Sequence, residues 1–75
     1  MASYHTEETA PEFEIDNLRK WTAVKIAAGT DMQYEKVLEV LRKLNVHGNW
    51  TMYEILNRPV NIDELTEIVE EQMYM

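Results

Sequence analysis

The chain of 75 residues contains no cysteine and only two glycines, two prolines and two histidines. Without cysteine, neither a disulfide nor a thiolate metal site can form, and two isolated glycines exclude the glycine-rich loops that bind phosphate. His5 lies in a polar segment and His47 in an expected solvent-facing turn, and neither stands at metal-ligand spacing from other ligand residues. The sequence therefore predicts neither a metal ion nor a cofactor.

The residues needed for catalysis are equally scarce. A side-chain nucleophile needs a base positioned in a cleft, and a chain this short has little interior in which to form one. The adjacent carboxylates of Glu70 and Glu71 belong to a helix side that is expected to face solvent, where nothing desolvates them for acid–base work. We therefore expect a protein that is not an enzyme.

No apolar run approaches the roughly 20 residues that a membrane-spanning helix needs. Residues 1–13 are polar and acidic, whereas a secretory signal requires basic residues followed by apolar ones. These observations favour a cytoplasmic protein without a membrane segment. Residues 1–12 lack a hydrophobic period and predict a disordered acidic tail, which leaves residues 13–75 as a single domain.

The net charge of −7 is unevenly distributed along the chain. Residues 1–15 carry four acidic side chains and no basic ones, and residues 62–75 carry five acidic side chains and no basic ones. All seven basic residues lie between these segments, against five acidic ones, so the middle has a balance of +2. The sequence thus predicts surfaces of opposite charge.

The first predicted helix begins at a cap formed by Asp16 and runs to about Ala28, where Gly29 would end it in the left-handed conformation. Several of its apolar residues share one side: Leu18, Trp21, Val24 and Ala28. Because other apolar residues lie elsewhere around the helix, we expect burial on more than one face. Trp21 and Trp50 are both expected in the core.

The second predicted helix, at 32–45, follows a cap formed by Thr30 or Asp31, and Gln33 would complete a capping box with Thr30. Its apolar residues recur at the spacing of one helix face: Val37, Val40, Leu41 and Leu44. This pattern predicts an amphipathic helix with charged residues on its opposite side.

The last predicted helix begins at Asn61, with Glu64 three residues later as support for the cap. Its apolar stripe consists of Ile62, Leu65, Ile68, Val69 and Met73. Between the second and last helices, residues 45–49 predict a turn. The segment that follows has two interpretations, because its strand-forming residues favour a small β-hairpin at 46–56 whereas Thr51 and Glu54 form a capping box typical of a short helix.

These elements predict a mainly α fold, a compact domain of three or four helices with the hairpin as an alternative feature. Residues 23–40 also resemble a helix-turn-helix. Small and apolar residues stand where its two helices would contact each other: Ala27, Val37 and Val40. Residues 40–48 and 50–55 are similar to the second helix and wing of winged-helix domains, although Asp31 occupies a position where that family usually has glycine. A plain helix bundle explains the same residues.

We expect a non-enzymatic regulatory or adaptor protein that binds a protein partner with a basic surface. The residues expected to contact that partner lie on the acidic side of the last helix: Glu64, Glu67, Glu70 and Glu71. One form of this function is an inhibitor that occupies the nucleic-acid site of its partner. The apolar stripe of the last helix could also complete a homodimer.

The alternative function, implied by the resemblance, is that of a DNA-binding transcriptional regulator which places the 32–45 helix in the major groove. Its candidate DNA contacts are Gln33, Lys36 and Lys43. Against it stand Glu35 and Glu39 on the same helix and the net charge of −7, because duplex affinity depends on neutralising phosphates.

Overall fold

The computed structural model describes residues 8–74 of the chain, and four helices lie within that range. They are α1 (Glu12–Ala28), α2 (Tyr34–Lys43), α3 (Met52–Asn57) and α4 (Ile62–Met73). Helices α1 and α2 make the most extensive contact, α4 packs against both of them, and α3 packs against α1. The mainly α class predicted from the sequence is confirmed. None of these helices combines the length and the apolar character needed to cross a membrane.

The core lies where α1, α2 and α4 meet. It is formed by buried aliphatic side chains: Ala23, Ile26, Val37, Leu38, Leu41 and Val69. Full burial of one such large side chain stabilises the fold by about 1.5–3 kcal/mol. On α2 the buried side is rotated from the predicted one, since Leu38 is buried while Leu44 remains 37% exposed. The amphipathic nature of α2 was therefore predicted correctly, but the centre of its apolar face was not.

Helix α1 buries a different side from the one that its larger apolar residues predict. The buried residues are Ile15, Arg19, Thr22, Ala23 and Ile26. Trp21 is 46% exposed and Val24 is 54% exposed, so the expectation that Trp21 belongs to the core is wrong. The physical reason is that α2 and α4 cover only the side of α1 that carries Ala23 and Ile26.

The first helix begins at Glu12, four residues before the predicted cap at Asp16. Pro11 precedes it directly, and proline is well tolerated at a helix start because the N–H that it lacks would have no partner within the helix. The acidic Glu12 and Glu14 lie in the first turn, where negative charge interacts favourably with the helix dipole. Asp16 is instead used for an ion pair with Arg42.

The ordered fold also begins before Phe13. Ala10 is buried and donates its backbone N–H to the carbonyl of Trp50 at 2.9 Å, and Thr9 forms an isolated antiparallel bridge with Thr51. Of the predicted disordered tail, residues 1–7 lie outside the described residues. Residues 9 and 10 are tied to the start of α3 by these backbone contacts.

The predicted cap of the second helix does not form. Helix α2 begins at Tyr34, and its N-cap residue Gln33 makes no side-chain cap hydrogen bond. The Thr30 hydroxyl donates to the carbonyl of Ile26 at 2.8 Å and accepts from the backbone N–H of Met32 at 3.1 Å. Thr30 therefore closes the connection after α1 rather than opening α2. Gly29 ends α1 with φ of −101°, so the left-handed conformation predicted for it is also wrong.

The other two predicted caps are present. Glu54 donates its backbone N–H to Thr51 Oγ1 at 3.1 Å and its carboxylate accepts from the Thr51 N–H at 3.0 Å, which completes the capping box of α3. Residues 52–57 are therefore helical, and the alternative hairpin at 46–56 does not form. Asn61 caps α4 as predicted, since its side-chain oxygen accepts the Glu64 N–H at 3.0 Å.

The turn predicted at 45–49 is also found, and it depends on two left-handed residues. Asn45 has φ of 55° and His47 has φ of 63°. Gly48 follows with little free space beside it, because a Cβ atom added there would overlap the side chain of Asn45. Gly29 differs, since a Cβ atom there would make only ordinary contacts of 3.8 Å or more.

We predict that Gly48→Ala lowers the free energy of unfolding by about 1–3 kcal/mol, because the new methyl group must displace the Asn45 side chain, whose Oδ1 accepts a hydrogen bond from the buried Arg19. Gly29→Ala is the matched control and should be neutral or stabilising by up to about 1 kcal/mol, since its backbone conformation suits alanine. Urea unfolding followed by circular dichroism measures both values. Equal stability of the two variants would contradict the role assigned to Gly48.

Candidate interaction surfaces

A buried guanidinium connects α1 to the turn at 44–49. The Arg19 side chain is only 3% exposed, and its Nε donates to the carbonyl of Val46 at 2.9 Å. Nη2 donates to Asn45 Oδ1 at 2.9 Å, and Nη1 contacts the carboxylates of Glu12 at 2.7 Å and Asp16 at 3.4 Å. A buried charge is tolerated when it is paired and fully hydrogen-bonded. Arg19 therefore has a structural role, and the sequence analysis did not predict its burial.

Asp16 extends this cluster to α2. Its two carboxylate oxygens accept from Nε and Nη2 of Arg42 at 2.9 Å and 2.7 Å, a bidentate geometry. These hydrogen bonds from Arg42 hold the pKa of Asp16 below its ordinary value, and Arg19 acts in the same direction. Because Asp16 contacts an arginine of each helix, it fixes the position of α2 against the first part of α1.

His47 lies beneath this cluster and is only 7% exposed, so the expectation that it faces solvent is wrong. Its Nε2 is 3.3 Å from Thr22 Oγ1, and the Thr22 hydroxyl donates its hydrogen to the carbonyl of Leu18 at 2.8 Å. Since that hydrogen is already used, we infer that Nε2–H of His47 is the donor to Thr22. The imidazole also packs edge-on against the Trp50 ring, with centroids 4.5 Å apart.

The surroundings of His47 disfavour its protonated form. Burial lowers its pKa to about 4, and the positive charges of Arg19 and Arg58 contribute to the shift. The Arg58 guanidinium lies 4.7 Å from the centroid of the Trp50 ring and donates to a Glu54 carboxylate oxygen at 3.1 Å. The neutral imidazole therefore belongs to the packed interior below α3.

A cleft of about 220 Å³ opens between this region and α4. Its lining includes His47, Trp50, Arg58 and Glu64. Within residues 8–74, no three histidine, cysteine, aspartate or glutamate side chains are grouped so that they could hold a metal ion. Glu64 is therefore described better as the end of a charged helix face than as part of a metal site.

The four residues predicted to contact a partner lie on the exposed side of α4 together with Asp63. We call the set Glu64, Glu67, Glu70 and Glu71 the acidic α4 face. Within residues 8–74, none of these carboxylates forms an ion pair, whereas Glu12, Asp16 and Glu54 elsewhere do. The last turn of α4 carries no basic residue either. The acidic α4 face is thus a cluster of carboxylates on one helix that have no ionic partner in the part of the chain that the structure describes.

Positions along α4 divide this face into two parts. Glu64, Glu67 and Glu71 follow one another at i, i+3 and i+7 and so form one row. Glu70 lies beside the row and borders a depression shared with the α1–α2 connection, where Asp31 is also found. The helix holds both parts away from the core, because Val69 occupies its buried side.

The candidate DNA contacts on α2 do not form a basic surface. Gln33 precedes the helix, and Lys36 lies 4.0 Å from Glu39 in an exposed ion pair. Lys43 follows Lys36 by seven residues, which is about 10 Å along the helix axis, and Glu39 lies between the two lysines. Arg42 is held by Asp16. Positive and negative groups therefore alternate over the exposed side of α2.

The structure shows a further surface that the sequence analysis assigned to the interior. We call it the outer α1 face, formed by Phe13, Trp21, Val24 and Ala28. Phe13 is 64% exposed, Trp21 46% and Val24 54%, and Ala28 is exposed as well. Lys25 Nζ lies 5.5 Å from the centroid of the Trp21 ring. The apolar spacing of three of these residues was visible in the sequence, but it was interpreted as a core face.

The pKa of His47 makes the stability of the fold depend on pH in a defined window. An unfolded histidine binds a proton below about pH 6.5, whereas folded His47 does so only near its pKa of about 4. The free energy of unfolding is therefore highest above pH 6.5 and falls as the pH decreases towards 4, by at most about 1.4 kcal/mol per pH unit. The pKa of Asp16 is lowered, so the stability that this carboxylate contributes is lost only as the pH falls below about 3.8.

We predict that His47→Asn abolishes the slope of stability between pH 6.5 and 4. Asparagine adopts the left-handed backbone of this position more readily than most residues and does not titrate. Urea unfolding at half-unit pH intervals measures the slope for both chains, and unfolding at pH 8 gives the intrinsic cost of the substitution. An unchanged slope in the variant would show that other groups cause the pH dependence.

Comparison with known proteins yields no relative from which a function could be transferred. Neither a protein-family model, a curated protein nor a solved structure matches this chain. The features that bear on function are therefore the acidic α4 face, the outer α1 face and the contacts of the residues that form them.

Proposed function

We propose that the protein is a non-catalytic regulatory or adaptor module of the cytoplasm that binds a basic surface of a protein partner through the acidic α4 face. The observation that carries this proposal is that the four carboxylates are exposed and form no ion pair within residues 8–74. Clustered free charge of one sign steers association with a surface of opposite charge and selects against like-charged ones.

The stability of α4 explains Glu64, whose charge lies in the first turn, but not the acidic residues further along the helix. Burial of Val69 and the Asn61 cap hold the helix in place. Negative charge in the last turn, contributed by Glu70 and Glu71, opposes the helix dipole and weakens the helix slightly. Residues that lower helix stability and form no ion pair within residues 8–74 are expected where they serve binding.

A partner that itself binds nucleic acid is one form of this function. Carboxylates of Glu64, Glu67 and Glu71 follow one another over about 10 Å of helix axis, so a single helix presents a row of negative groups. A groove lined by lysine and arginine for phosphate binding would be complementary to such a row. The protein would then act as an inhibitor by occupying that groove.

The test of the acidic α4 face replaces its four glutamates by glutamine. This change should weaken binding to the partner captured from the source cells by at least about tenfold at low salt, because the attraction between charged surfaces is lost. Affinity is measured by isothermal titration at two salt concentrations. Truncation after Asn61 is less suitable, since it also removes Val69 from the core.

A charge-matched control is available elsewhere on the surface. It combines four substitutions outside α4 and outside the outer α1 face: Asp31→Asn, Gln33→Lys, Glu35→Gln and Glu39→Gln. Both quadruple variants have a net charge of −3, since each raises the net charge of −7 by four. The control should bind the partner within about twofold of the unmodified chain. Equal loss in the two variants would mean that overall charge, and not the acidic α4 face, determines binding.

The alternative of DNA binding through α2 predicts a different result. We expect no retardation of a DNA duplex at about 50 mM salt, because the exposed side of α2 is nearly neutral and the whole chain is acidic. Retardation that falls steeply with salt and disappears in Lys36→Glu with Lys43→Glu would instead support a DNA-binding function. A gel mobility assay with duplexes of random sequence measures this.

A further inference from the structure

The outer α1 face is an apolar stripe that runs the length of a long helix. Its residues recur along one side of α1, where Asn17 and Lys20 complete the surface. The opposite side of the helix is covered by α2 and α4, whereas no part of residues 8–74 covers this one. The helix has 17 residues and is therefore about 25 Å long. An exposed stripe of this length on a small domain indicates a binding surface.

The stripe is flanked by one negative and one positive residue, near opposite ends of α1. Glu14 and Lys25 lie on the same flank of it, near opposite ends of α1. They are eleven residues apart, about 16 Å along the axis, so they cannot pair with each other within one helix. Lys25 is exposed and Glu14 is partly exposed, and neither charge has an ionic partner among residues 8–74.

The placement of Glu14 and Lys25 is self-complementary when two copies of α1 lie antiparallel. Residues on the same flank of two antiparallel helices meet, and a two-fold axis brings each residue pair together twice. With the axis between Lys20 and Trp21, Glu14 comes within about one helical turn of Lys25 of the second copy. The same register sets Phe13 against Ala28 of the second copy, a large side chain against a small one.

We propose that the outer α1 face is the interface of a homodimer, in which the α1 helices of two copies pack antiparallel about this two-fold axis. Two helices of this length bury less than the roughly 1,200–2,000 Å² of a standard interface, so the dimer forms at micromolar concentrations or above.

The proposal differs from a dimer formed by the C-terminal helix. It leaves the row of Glu64, Glu67 and Glu71 outside the interface, so each dimer would present two such rows to a partner. It also stands independently of the proposed function, because the charged residues and the axis on which it depends all lie on α1. The two proposals can therefore fail separately.

The first experiment is sedimentation equilibrium of the full chain from about 1 µM to about 1 mM. A concentration-dependent dimer is expected, and Val24→Glu should weaken it at least about tenfold because a charge would be buried in the stripe. Ile68→Glu is the matched control on α4, since it also places a glutamate at an exposed apolar position, 38% exposed here, and it should leave the dimer unchanged. A monomer throughout this range, or dimerisation lost only in Ile68→Glu, would overturn the proposal.

Charge reversal tests the register of the two helices. Glu14→Lys and Lys25→Glu alone should each weaken the dimer several-fold, and the two changes together should restore it to within about twofold. Restoration cannot come from a contact within one chain, because the two residues are about 16 Å apart along the helix. Weakening in both single variants without restoration in the double variant would exclude the antiparallel arrangement.

A disulfide cross-link measures the position of the axis, since the chain has no cysteine of its own. Two copies of Lys20→Cys would lie within about 2 Å of each other along the axis and should cross-link readily under mild oxidation. This change also removes the one pair of like charges near the axis. Ala28→Cys is the control on the same stripe, where the two copies are about 22 Å apart and should not cross-link. The reverse pattern would contradict the register.

Val24→Glu also distinguishes a second copy from another occupant. If the chain is a monomer and Val24→Glu abolishes its binding to the partner captured from source cells, the outer α1 face binds that protein and the homodimer proposal is wrong. If Val24→Glu abolishes dimerisation while the monomeric variant retains partner binding per chain, the proposal is supported. Circular dichroism of the variant confirms that the helices remain folded, as expected for a residue that is 54% exposed.

Discussion

The pairing of the buried Arg19 guanidinium is the interaction on which the rest of the structure depends. A charge that is removed from water must be matched by hydrogen bonds and by opposite charge, or the fold loses several kcal/mol. Arg19 obtains these from Glu12 and Asp16 on its own helix and from Asn45 and Val46 in the turn. The turn is thereby fixed against α1, and with it the buried imidazole of His47 and the start of α3.

This internal pairing also determines which charges remain for the surface. The three arginines of the basic middle segment are all paired with carboxylates, Arg19 inside the fold and Arg42 and Arg58 on its surface. No basic residue lies on α4, so its carboxylates have no comparable partner in the described chain. Among residues 8–74, carboxylates without an ion pair are therefore most concentrated on α4, and the middle segment is less basic on its surface than its composition suggests.

The outer α1 face and the acidic α4 face suit two different kinds of binding. The outer α1 face is apolar with a balanced pair of charges, which suits contact with a copy of itself. The acidic α4 face is charged with little apolar area, which suits selective contact with a basic partner. A dimer that uses the first surface and exposes two copies of the second would bind a repeated or symmetric partner more tightly than a monomer, without any additional contact.

Features that depend on neighbours in sequence were predictable from the sequence alone. The mainly α class, the amphipathic period of α2, the cap at Asn61 and the turn at 45–49 all belong to this group, and the capping box at Thr51 correctly favoured a helix. Other features were decided by tertiary structure. A period shows which residues of a helix share a side but not which side its neighbours cover, so Trp21 was assigned to the core and the burial of Arg19 and His47 was missed. The glutamates of α4 could be predicted as an exposed acidic face, but only the folded chain shows that they have no ionic partner among the residues described, because salt bridges join side chains that are distant in sequence.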